Sequence, residues 1–128
     1  MSKSPVTCHV LDSAIGKPAA GVAVELHEYT DGSRFAVLAT GTTDADGRCM
    51  QLWPEVPNDG VQTREERAKL KADRLYKVTF HTKDYFASSD RKCFYPWVEI
   101  TFQVQNPDEH YHIPLLISPY SYTTYRGS

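Results

Sequence analysis

The sequence predicts an all-β sandwich, on three observations. First, apolar residues recur with a period of two in separate runs: Val22, Val24 and Leu26; Tyr76, Val78 and Phe80; Val98, Ile100, Phe102 and Val104. A period of two places one set of side chains on a core and the other set towards water. Second, turn-forming groups part the runs, at Gly16-Lys17-Pro18, Asp31-Gly32, Asp46-Gly47, Asn58-Asp59-Gly60 and Asn106-Pro107-Asp108. Third, helix-forming stretches with an apolar face are scarce. Seven or so short strands between turns is the count of a sandwich.

Taken in order, the first strand presents Val6, Cys8 and Val10 on one face and Thr7, His9 and Leu11 on the other. The second run alternates Val22, Val24 and Leu26 with Ala23, Glu25 and His27. Thr42-Thr43 closes a strand, Asp44-Ala45-Asp46-Gly47 makes a tight turn, and Arg48 begins the next strand. Residues 63–70 have helical propensity and a capping box at Thr63 and Glu66, but almost no apolar face. They predict at most a short surface helix, and residues 83–89 a second single turn. Further strands alternate Tyr76, Val78 and Phe80 with Leu75, Lys77 and Thr79, then Val98, Ile100, Phe102 and Val104 with Glu99, Thr101 and Gln103. In the last long run Ile113, Leu115 and Ile117 share a face, with His112, Pro114 and Leu116 opposite.

A chain of 128 residues, 41% hydrophobic and 12% aromatic, makes one globular domain, 1–128, with a single core. A net charge of −2 without a basic block argues against nucleic acid as a partner. No apolar run reaches membrane-spanning length, and Met1 to Pro5 are followed by no apolar signal core. Cys8, Cys49 and Cys93 are odd in number, widely spaced and without a CxxC, so they read as thiols in an intracellular protein. Cys8 and Cys49 read as small buried side chains.

His9 and His112 each lie opposite the core face of their strand, beside Leu11 and Leu116. A lone histidine there is ordinarily a hydrogen-bonded surface group. Two of them on mixed apolar faces predict a surface covered by another subunit. His27 and His81 read as ordinary surface histidines. His110 and His112 share a strand face at metal-chelating spacing, but no third ligand is evident, so no metal is expected. Arg48, at the end of a Gly-assisted turn, reads from spacing alone as a solvated arginine. Its fork would also suit a planar carbonyl compound. The same holds for Arg126 in the tail Tyr125-Arg126-Gly127-Ser128, where a guanidinium, a hydroxyl and the α-carboxylate stand within three residues. The chain has no nucleophile elbow, no phosphate loop and no carboxylate pair spaced as an acid/base couple. Chemistry here rests on histidine and arginine.

His9-Val10-Leu11-Asp12 with Gly16-Lys17-Pro18-Ala19-Ala20-Gly21-Val22, Tyr76-Lys77-Val78 with Thr82-Lys83-Asp84-Tyr85, and Leu115-Leu116-Ile117-Ser118-Pro119-Tyr120-Ser121-Tyr122 together resemble the transthyretin-like proteins. The resemblance covers nearly the whole chain, from about Thr7 to Ser128. The ending Tyr125-Arg126-Gly127-Ser128 resembles that of the family's hydrolase branch, which the vertebrate hormone carrier lacks.

The resemblance implies two four-stranded sheets, one short helix around residues 83–89, and a homotetramer built as a dimer of dimers, with active sites in the channel between dimers. It implies hydrolysis of 5-hydroxyisourate without a cofactor, with His9, Arg48 and His112 catalytic. It implies Tyr125, Arg126, Gly127 and Ser128 as the substrate-binding residues. The rival implication is a carrier of a small aromatic ligand in the same channel. Cytosol and peroxisome both fit, since Arg-Gly-Ser is not a Ser-Lys-Leu address.

Overall fold

The structure is a computed structural model that describes residues 4–30, 32–54 and 70–127. Its strands are β1 (Val6–Asp12), β2 (Lys17–Pro18), β3 (Ala23–Thr30), β4 (Arg34–Thr42), β5 (Arg48–Cys49), β6 (Leu75–Phe80), β7 (Val98–Gln103), β8 (Tyr111–Ser118) and β9 (Ser121–Thr124). One helix, α1 (Thr82–Ala87), stands among them. Two sheets result. One has the order β4-β3-β6-β7 and is antiparallel throughout. The other has the order β2-β1-β8-β9, with the two-residue β5 beside β2 along the same edge of β1.

The period-two runs sit where alternation puts them. Val24, Leu26, Tyr76, Val78, Phe80 and Val98 from one sheet meet Val6, Cys8, Val10, Ile113, Leu115 and Ile117 from the other, all buried. Each fully buried large side chain contributes about 1.5–3 kcal/mol. The phenol of Tyr76 ends on polar partners, accepting from the Lys71 amide and donating to Glu28. Cys8 and Cys49 face each other across the β1–β5 pair, both as thiols. Hydrogen bonding to Cys49 and burial push the Cys8 thiol up, away from ionisation.

The helix is where the resemblance put it. The capping-box segment at residues 63–70 lies outside the described residues except for buried Leu70. At six residues α1 is too short to persist alone. It is held by buried Phe86, by the Thr82 hydroxyl donating to the Tyr95 carbonyl, and by the Lys83 amide donating to the Pro96 carbonyl.

The unforeseen feature is the pairing of β1 with β8, which is parallel. Seven residue pairs run from Val6 opposite Tyr111 to Asp12 opposite Ile117. At its end the buried Asp12 carboxylate takes hydrogen bonds from Arg91 at 2.7 Å, Tyr85 at 2.8 Å and the Ala14 amide at 3.1 Å. These tie the helix region to the ladder. Burial alone would raise the Asp12 carboxyl. The bonds from Arg91 and Tyr85, the Arg91 charge and the Ala14 amide outweigh it and hold the carboxyl below the ordinary carboxylate range.

A depressed carboxyl contributes stability that is present above its unfolded value, about 3.9. That contribution is lost as pH falls through the folded value. Arg91→Ala should therefore lower the unfolding free energy by about 1.5–3 kcal/mol at neutral pH, measured by urea denaturation. The gap from wild type should narrow below about pH 4. A gap that stays constant into acid would show that Arg91 contributes through packing on Phe86 instead.

Candidate active site

Residues paired in a ladder project on the same face of the sheet, so the β1–β8 register decides what meets what. It sets Thr7 opposite His112, His9 opposite Pro114, and Leu11 opposite Leu116. The β1–β5 pair sets Arg48 opposite His9. The outer face of three adjacent strands therefore carries Arg48 and His9 in one row, with His112 in the next row of the same face, opposite Thr7. From ladder spacing, the Cα atoms of His9 and His112 are about 8 Å apart. Long side chains span such a gap, and a small planar molecule bridges it.

Arg48 is held by its turn. The Asp44 carboxylate accepts from the amides of Asp46 at 2.9 Å and Arg48 at 3.0 Å. The Gly47 amide donates to the Asp44 carbonyl at 2.9 Å, and the Asp44 amide to the Arg48 carbonyl at 2.8 Å. Gly47 has a φ of +76°, and a side chain there would collide with the Val10 carbonyl. The backbone of Arg48 is thus rigid while its side chain is exposed. His9, His112, Leu11 and Leu116 are half-buried.

His112 is held more closely. Its Nδ1 lies 2.8 Å from the Thr7 hydroxyl, which also lies 2.8 Å from Nε2 of His110. The two imidazoles are nearly parallel, their centroids 6.5 Å apart. Thr7 is wholly buried. Among the described residues no three histidine, cysteine or acidic side chains are grouped as metal ligands. Sequence reasoning had Thr7 on the face of His9 but gave it no part. The signal was there in the alternation, and the partner on β8 was not.

The tail returns along β8. β9 pairs with β8 from Ser118 opposite Ser121 to Leu115 opposite Thr124, and the same register carries on to a bridge between His112 and Gly127. The Gly127 amide donates to the His112 carbonyl at 3.0 Å. Its missing side chain points at the site, since a Cβ would stand 2.7 Å from Cδ2 of His112 and 2.9 Å from Cγ of Pro114. Tyr125 falls on the same face by register. Arg126 turns to the opposite face of its strand. Its guanidinium lies 4.5 Å over the Tyr111 ring and 3.1 Å from Glu109. Ser128 lies outside the described residues. His27, on β3 of the other sheet, and His81, just after β6 of that sheet, both bond Glu25, at 3.1 Å and 3.3 Å.

A β-sandwich with two histidines and an arginine aligned on an outer sheet face, and a tail folded against them, is a transthyretin-type sandwich with a polar site. The chain belongs to the HIUase/Transthyretin family, whose model matches residues 6–127. It is 42% identical over 123 residues to the 5-hydroxyisourate hydrolase of Salmonella typhimurium, covering 96% of this chain and 80% of that one. The structure is similar to 5-hydroxyisourate hydrolase from Klebsiella pneumoniae, at 30% identity and TM-score 0.72, covering 96% of this chain and 98% of that one. It is also similar to sea bream transthyretin in complex with thyroxine, at 30% identity and TM-score 0.75, covering 96% and 94%.

Gly127→Ala should displace the tail or tilt the His112 ring, because nothing at that contact is the end of a flexible side chain. The imidazole NMR signals of His112 should shift, while thermal melting changes little, the tail being outside the core. Unchanged His112 signals would show that the tail does not pack on that ring.

Proposed function

We propose that this protein hydrolyses 5-hydroxyisourate, opening its cyclic amide to 2-oxo-4-hydroxy-4-carboxy-5-ureidoimidazoline in the degradation of urate. The observation that carries the proposal is the shared face of His9, Arg48 and His112, which brings two proton-exchanging groups and one fixed cation together. Family membership and the hydrolase relatives support it. The carrier reading fits this face poorly, since polar groups covered by an apolar ligand cost about 1–3 kcal/mol each when left unpaired.

In the reaction a water oxygen bonds to the amide carbonyl carbon, one water proton passes to a histidine, and the ring C–N bond breaks. The departing nitrogen takes a proton back from a histidine. His9 and His112 are the groups on this face that can carry these transfers, a contribution of roughly 10²–10⁴-fold for general acid–base catalysis. Arg48 holds the carbonyl oxygen as negative charge develops, worth on the order of 3–4 kcal/mol for one well-placed donor.

Tyr125 and Gly127 wall the site on the β9 side, and Ser128, which follows them, is the further substrate-binding residue of the proposal. Arg126 is the remaining proposed substrate-binding group, and it would have to leave Tyr111 and Glu109 on the opposite face of its strand to reach substrate. Its pair with Glu109 is more than half exposed on the arginine side and so is worth at most about 1 kcal/mol, which makes exchange for a substrate carbonyl inexpensive. Protein groups supply every step, and no cofactor is invoked. The proposed setting is cytosolic or peroxisomal, where thiols such as Cys8 and Cys49 stay reduced.

A flat sheet face lacks the walls that exclude water. Half-exposed Leu11 and Leu116 beside the histidines fit cover by a second copy, and the proposed assembly is a homotetramer, a dimer of dimers. Light scattering at micromolar concentration should give a tetramer. Full activity in a preparation that is only monomer would defeat the channel site.

With freshly generated 5-hydroxyisourate, decay of its absorbance should accelerate over the spontaneous rate. His9→Ala, Arg48→Ala and His112→Ala should each lower turnover by at least about tenfold with folding intact. His27→Ala and His81→Ala should leave it near wild type. No acceleration by the wild-type protein would remove the hydrolase, and equal loss in all five variants would point to destabilisation rather than to a site.

A further inference from the structure

The contact between Thr7 and the two β8-side histidines fixes more than position. A hydroxyl has one proton to donate and two lone pairs. Thr7 Oγ1 stands 2.8 Å from two ring nitrogens, Nδ1 of His112 and Nε2 of His110, in a fully buried position. It can donate to only one of them. The other bond is satisfied when that ring nitrogen carries a proton and donates to Oγ1. The three groups therefore form a directed chain, and the two histidines hold different tautomers with respect to it.

The direction follows from what His112 must do, and so rests on the proposed catalytic role of that residue. A base that takes a proton from water needs a lone pair towards substrate. Nδ1 faces Thr7 inside the sheet, so proton exchange falls to Nε2, and Nδ1 must hold the ring proton. We propose that Thr7 is a positioning residue: Nδ1–H of His112 donates to Thr7, and the Thr7 hydroxyl donates to Nε2 of His110, which locks His112 as the tautomer that is basic at Nε2.

Each step then balances. The water proton arrives at Nε2 of His112 and the ring becomes an imidazolium. Its Nδ1–H stays in place and bonds Thr7 more strongly, as charge-assisted hydrogen bonds do. The Thr7 proton leans in turn on Nε2 of His110. When Nε2 gives its proton to the departing ring nitrogen, the chain returns to its starting state. The water proton enters and leaves at Nε2 of His112, and no further reactant is needed. Thr7 is placed for this by the parallel register alone, since only that pairing sets residue 7 directly opposite residue 112.

The test is Thr7→Val, which keeps the shape and removes the hydroxyl, beside Thr7→Ser, which keeps the hydroxyl. Thr7→Val should lower kcat by at least about tenfold, a part of the roughly 10²–10⁴-fold that a general base supplies, with KM nearly unchanged. Thr7→Ser should recover most of the loss. In nitrogen-15 spectra of the wild-type protein, His112 should carry its neutral-state proton on Nδ1, and in Thr7→Val it should become a tautomer mixture. Thr7→Val with wild-type kcat, or wild-type His112 protonated on Nε2, would overturn the chain. The wild-type spectrum decides the matter even where Thr7→Val folds poorly. Failure of the active-site reading looks different: His112→Ala would then retain full activity. An inactive His112→Ala with an active Thr7→Val would overturn only the chain.

Discussion

The parallel ladder between β1 and β8 is the constraint from which the other placements follow. Both are central strands of their sheet, each with its inner face buried against the opposite layer. Slipping that register by one residue would turn Val6, Cys8 and Val10 to the outside and His9 into the core. The cost would be several fully buried side chains at about 1.5–3 kcal/mol apiece. The core therefore enforces the alignment of the outer face. His9, His112 and Thr7 meet because Val10 and Leu115 pack on the other side of the same ladder.

The ends of that ladder are closed by polar contacts that would be expensive to misplace. At one end the buried Asp12 carboxylate gathers Arg91, Tyr85 and the Ala14 amide, so that the short helix is joined to the strand through a charge. Along the edge, Gly47 lies against the Val10 carbonyl and sets the height of Arg48. Gly127 lies against His112 and Pro114 and sets the approach of the tail. Both glycines are needed for close approach, one beneath the arginine and one beside the histidine. The rigid backbone carries side chains that are themselves half-exposed, at His9 and His112, or exposed, at Arg48.

The sandwich does not by itself distinguish a hydrolase from a carrier, because proteins of both kinds share it. On the proposed reading the distinction lies in side chains of one sheet face, among them Arg48, His9 and His112. A face that binds an apolar ligand has little use for an aligned arginine and two histidines, one of them oriented by a buried hydroxyl.

Alternation alone placed the core residues of β3, β6 and β7, and it separated His9 and His112 from the core, because a period of two is a local property of the chain. The turn before Arg48 was equally legible, since Asp44, Asp46 and Gly47 are neighbours in sequence. Family resemblance supplied the helix at Thr82–Ala87, where propensity had favoured a segment with a capping box and no apolar face. What the sequence could not decide was which strand lies beside which. The parallel pairing brings together residues more than a hundred positions apart, and no local periodicity encodes that. So Thr7, plain by its composition, becomes the hydrogen-bond partner of two histidines. Arg126, prominent in its motif, turns to Tyr111 and Glu109 on the opposite face. Residue types and strand faces were determined by the sequence. Which of those faces meet, and therefore which side chains act together, was decided by long-range packing of the two sheets.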